Sequence, residues 1–152
     1  MLRRIGPAFG LTLGLALASG CTKAPAGPVV HPAATDTVAD QGASFQVDVG
    51  WISVPPAEAQ IIVKLTAKGI ETTDNLVVDV KGRGFVITDG GPEWVGIIQP
   101  REKYEHKVSY KLLDDVDSGQ LEVTIRRSHD STMLWTEELL FRREAGGLSL
   151  AE

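Results

Sequence analysis

From Ser44 onward the chain alternates apolar and polar positions. Phe45, Val47 and Val49 take turns with Gln46, Asp48 and Gly50. A period of two sends successive side chains to opposite faces of an extended strand. Trp51-Ile52-Ser53-Val54 extends this strand or begins another, and Pro55-Pro56 stops it, because proline has no N–H for a ladder. The same alternation recurs at Ile61, Val63 and Leu65, and at Leu76, Val78 and Val80. Phe85-Val86-Ile87 reads as a short strand between glycine-rich turns, and Trp94 to Ile98 as another. Tyr104, His106, Val108, Tyr110 and Leu112 share one face of a long strand, and Leu121, Val123 and Ile125 share one face of the next. The last strand runs from Met133 to Arg143, although Leu139-Leu140-Phe141 also fits a helical turn.

No segment sustains a 3.6-residue period. Seven or eight strands separated by turn signals roughly every 8–12 residues predict an all-β, antiparallel β-sandwich over 44–143. Two such sheets each hide one face and make one core between them. Thr22 to Ala43 lacks this pattern. It is rich in Ala, Pro, Gly and Thr and carries Pro25, Pro28 and Pro32, so 21–43 reads as a flexible linker in which His31 is solvated. The end, 144–152, reads as a frayed tail.

Composition narrows the function classes. The 152 residues carry a net charge of −5, and the first twenty hold only basic charges, Arg3 and Arg4. An acidic chain without a Lys/Arg stripe is a poor binder of nucleic acid. A single cysteine excludes an internal disulfide and any multi-cysteine metal site.

That cysteine has a telling position. Arg3 and Arg4 precede an apolar run from Ala8 to Ala18, too short to span a bilayer, and then come Ala18-Ser19-Gly20-Cys21. This resembles the signal and lipobox of bacterial lipoproteins, with Ala18 where that family prefers Leu. The resemblance implies cleavage after residue 20, acylation (palmitate) of Cys21 and membrane anchoring. Thr22, rather than Asp, after the cysteine implies the outer membrane, with the domain facing the periplasm. A second resemblance covers Trp94 to Ile125. An apolar strand ends in Pro100-Arg101-Glu102, and two alternating strands follow around Ser118-Gly119. The spacing is similar to that of Ig-like and fibronectin-like modules of bacterial envelope proteins, which supports fold rather than function.

Candidate chemistry is sparse. Asp114, Asp115 and Asp117 precede Ser118-Gly119, but position six of an EF-hand register is Gln120 and position twelve is Arg126, so only a looser calcium site stays open. Ser128, His129, Asp130 and Ser131 are consecutive, unlike a triad assembled in space, and read as a turn. His106 reads as a core-edge histidine. Trp94 and Trp51 are the candidate contacts for a ligand or partner, Trp94 because it follows a glycine-rich loop. No catalytic residue, metal ligand or cofactor site is expected. The leading expectation is a non-catalytic, lipid-anchored interaction or structural module with an envelope protein partner. The alternatives are a glycan-binding module that uses an exposed Trp, and a small envelope hydrolase.

Overall fold

The computed structural model describes residues 27–151; the signal-like segment and Cys21 lie outside them. The described chain holds ten strands: β1 (His31–Asp40), β2 (Ala43–Val54), β3 (Glu58–Ala67), β4 (Leu76–Arg83), β5 (Phe85–Asp89), β6 (Glu93–Gly96), β7 (Lys103–Leu112), β8 (Ser118–Arg127), β9 (Met133–Glu144) and β10 (Gly147–Leu150). They form two antiparallel five-stranded sheets, ordered β1-β2-β3-β7-β5 and β10-β9-β8-β4-β6. The expected β-sandwich is present. Within its two sheets β2-β3-β7-β5 lies against β9-β8-β4-β6.

The alternation read from the sequence marks the core. Phe45, Val47, Val49, Ile61, Val63 and Leu65 of the first sheet face Leu76, Val78, Val80, Leu121, Val123, Ile125, Leu139 and Phe141 of the second. Trp51-Val54 continues β2 without a break, and Met133–Glu144 is a strand along its whole length rather than a helix.

Two boundaries differ from expectation. The linker expected over 21–43 does not extend that far, because His31–Asp40 is a ten-residue edge strand paired with β2. Its only fully inward apolar side chain is Val38, and it bulges at Pro32/Ala34, so no alternation announces it. The tail expected over 144–152 is likewise ordered: Gly147–Leu150 pairs with the end of β9 and buries Leu148. These two edge strands account for ten strands where seven or eight were expected.

The chain reverses direction and changes sheet between β4 and β5. β4 belongs to the second sheet and β5 to the first, and the chain passes between them at Gly84, whose φ of 79° favours glycine. Phe85 then enters the core beside Tyr110 and Phe141 at edge-to-face angles of 80° and 83°. The space for its ring is made by absent side chains. A Cβ on Gly82 would lie 2.9 Å from the Phe85 Cβ, and one on Gly119 would lie 2.5 Å from its ring. Beside it, the Tyr110 hydroxyl donates to the Val80 carbonyl and so ties the two sheets together.

The antiparallel order gives the sandwich two poles. The chain enters at one, where His31 stands opposite Trp51 and the turns at 55–57, 113–117 and 145–146 gather. The far pole carries the turns and loops at 41–42, 68–75, 97–102 and 128–132. Gly119→Ala should lower stability by about 1–3 kcal/mol through overpacking against Phe85, read as a lower urea midpoint. An unchanged midpoint would mean that the ring has room to move.

Candidate functional site

The far pole carries a network of ion pairs and hydrogen bonds. Asp40 ends β1 with its carboxylate buried, and Arg127 ends β8. The Arg127 Nε donates to Asp40 Oδ1 at 2.6 Å, and its Nη1 reaches Asp130 Oδ2 at 3.3 Å. Asp130 Oδ1 accepts the Thr132 N–H at 2.9 Å, and that bond holds the Asp130 carboxyl below its ordinary value. His129 bridges two carboxylates, with Nδ1 3.0 Å from Asp74 and Nε2 3.4 Å from Asp130. Backbone bonds close the remaining gaps. Ser128 N–H donates to Asn75 O at 2.7 Å, and Lys68 N–H donates to Ser44 O at 2.9 Å. Ile98 N–H donates to the buried Thr73 hydroxyl oxygen at 2.8 Å. The loops at 68–75, 97–102 and 128–132 are thereby held as one surface. From it Ile70 projects, 87% exposed.

The sequence reading gave no hint of this network. Asp40 fell in the expected linker, and its partner Arg127 lies 87 residues away. The only local signal was Asp40-Gln41-Gly42, a turn dipeptide after an aspartate. Ser128 to Ser131 does form the expected turn before β9. His129 there bonds carboxylates, and no hydrogen bond joins it to either serine hydroxyl among the described residues. Asp114 pairs with Lys111 at 3.3 Å. No group of three or more His, Cys, Asp or Glu side chains converges on one point among the described residues.

The aromatic candidates lie in the packing rather than on a platform. Trp51 is 6% exposed, with its indole stacked on His31 at 4.8 Å and edge-on to Phe141 at 5.0 Å. It is therefore a core residue, not the ligand or partner contact expected. The stacking also corrects the reading of His31 as a solvated linker residue. Trp94 faces inward from β6, half-buried against Tyr104 at 5.4 Å, and its ring covers Gly96. The void among Val63, Val78, Trp94 and His106 has no room for a water molecule. Inward alternation places Trp94 in this packing, so the exposed stacking surface expected of it is not present. Trp135 packs at the core edge and donates from Nε1 to Asp36 at 3.2 Å.

His106 lies in that same packing, with Nε2 buried and unpartnered. Burial holds its imidazole below the ordinary value, against the Pro92 carbonyl and the Asp79 carboxylate, which favour the proton. It sits mid-strand on β7, whereas His129 sits at the far pole, so the two histidines belong to different sites. Tyr110, also buried, is pushed up to about 12 by desolvation and then by Asp79, so it remains a neutral donor.

The fold defines an all-β, antiparallel β-sandwich with hydrogen-bonded loops at one pole. Comparison with protein-family models, with curated proteins and with solved structures finds no match to the chain.

Two outcomes are expected. Because the folded His106 has the lower pKa, the unfolded chain takes up the proton first, and stability is complete above the ordinary imidazole value of 6.5 and falls as pH drops below it. Urea midpoints at neutral and mildly acidic pH should show that fall, and His106→Gln should flatten it; an equal slope in the variant would assign the effect elsewhere. Arg127→Leu strands a buried carboxylate and should cost about 3–5 kcal/mol. The double change Asp40→Leu/Arg127→Leu should cost less than Arg127→Leu alone, and simple additivity would show that the pair is not coupled.

Proposed function

We propose that the protein is a lipid-anchored envelope module, held to the outer membrane through acylated Cys21 and facing the periplasm, whose sandwich binds or organises an envelope protein without catalysis. The observation that carries this reading is the opposition of the two poles. β1 starts at the entry pole and ends, through Asp40, in the network of the far pole. Residues 22–30 join Cys21 to β1, a span with a reach of roughly 15–18 Å as a flexible chain. An anchor at Cys21 therefore keeps the entry pole at the lipid surface and turns the far pole outward. Tethering raises the local concentration of that pole near other envelope components, so modest intrinsic affinity suffices. Loops carried on a rigid sandwich suit recognition of this kind. The glycan-binding alternative rested on an exposed Trp94 or Trp51, and the packing of both rings removes its support.

In-cell photo-cross-linking tests the reading. A cross-linker at Ile70 should capture a short, reproducible set of envelope proteins, and one at Val54 of the entry pole should not. The set should vanish with Cys21→Ala. Equal capture from both poles, or capture unaffected by Cys21→Ala, would contradict a tethered, outward-facing module.

A further inference from the structure

Three of the free sheet edges carry devices that block further strand pairing. β1 has Pro32, a bulge and the inward-pointing carboxylates of Asp36 and Asp40. β5 bulges between Ile87 and Asp89, and β6 is four residues long. β9 differs. It pairs with β8 along nearly its whole length, but β10 covers only Phe141–Glu144 on its other side. One further bond, from Ala151 N–H to the Leu140 carbonyl at 2.7 Å, extends that pairing. Beyond it, alternation turns the backbone groups of Glu138 and Thr136 toward the same side, and no strand pairs with them there among the described residues. Both residues are exposed, and neither proline nor glycine interrupts the stretch.

On the outer face at this edge two carboxylates are cross-strand neighbours. Glu138 stands directly opposite Glu122 on β8, while Glu137, the next residue along β9, turns to the inner face opposite Val123. None of the three carboxylates makes an ion pair among the described residues. Lys81, which stands opposite Glu122 on its other side, bonds Asp79 at 3.2 Å instead. Like charges opposite one another are unfavourable, and a cation beside them relieves the repulsion. A second copy of the chain does not supply one: two β9 edges side by side bring two such glutamate clusters together.

We infer that the Thr136–Glu138 edge of β9 receives a short, extended, cationic segment of a partner protein by strand addition. Main-chain hydrogen bonds to Thr136 and Glu138 supply the pairing, and a lysine or arginine on the face of Glu138 and Glu122 supplies the selectivity. This names the kind of partner for the interaction role proposed above and rests on that role for its place in the cell.

The test uses the full chain and synthetic peptides of about ten residues, long enough to cover β9. One alternates threonine and lysine, one alternates threonine and glutamate, and one is the lysine peptide with every second amide N-methylated. Amide hydrogen exchange is followed at Thr136 and Glu138. The lysine peptide should slow exchange at both by about tenfold or more near saturation. The glutamate and N-methylated peptides should not. Glu122→Gln/Glu138→Gln should weaken binding and reduce its salt dependence while leaving the urea midpoint near that of the parent. Equal binding by the N-methylated peptide, protection elsewhere, or no protection would overturn the inference. So would protection of these amides in the chain alone with rising concentration, which would assign the edge to a second copy. None of these readouts involves lipid, so a failure here leaves the Cys21 anchor standing, and a failure of the anchor leaves this edge intact.

Discussion

The structure depends on the crossing at Gly84. The chain leaves the second sheet at Arg83, turns back at Gly84 and joins the first sheet at Phe85, so the covalent chain itself fixes how the sheets sit on one another. The crossing works because glycines leave room on both sides of it. Gly84 takes the left-handed turn, while Gly82 and Gly119 vacate the volume that the Phe85 ring fills. Tyr110 then closes the seam with its hydroxyl on the Val80 carbonyl. The aromatic side chains Phe85, Tyr110 and Phe141 pack edge-on there, and they form the inner wall from which both sheets extend.

From that seam follows the polarity of the molecule. With the sheets locked, the ends of the strands fall into two groups. The entry pole takes the chain start and the turn after Val54. The far pole gathers loops that are distant in sequence, and the buried Asp40–Arg127 pair ties the first strand to the eighth. An ion pair of this kind adds little net stability and is costly to break, so its contribution is geometric: it sets where the loops at 68–75 and 128–132 stand. A domain built this way has two unlike ends, one where β1 begins and one where distant loops are bonded together.

Much of the sandwich was legible in the chain because a half-buried strand shows its burial as alternation. Phe45, Val47 and Val49, or Leu121, Val123 and Ile125, have one face in the core and one in water, and the period of two follows directly. β1 was not legible, because an edge strand of Ala, Thr and Asp buries so little that no period appears. The short β10 was missed for a related reason: two leucines after Gly146-Gly147 look no different from a loose tail. The tryptophans show the limit more sharply. Sequence places Trp51 and Trp94 on strands, but whether an indole is exposed depends on what the opposite sheet and the neighbouring strand bring to it. Here those are Phe141 for Trp51 and Tyr104 for Trp94. The pole network was beyond local reading altogether, since its central bond joins residues 87 apart.

In the function proposed above, this sandwich is held by its entry pole to a membrane through Cys21. The most direct measurement is the intact mass of the protein extracted from the membranes of its own cells, with fragmentation of the N-terminal peptide. The account predicts a chain that begins at Cys21 and carries acyl groups on that residue. A chain that begins elsewhere, or one that holds residue 21 as an unmodified thiol, would contradict it.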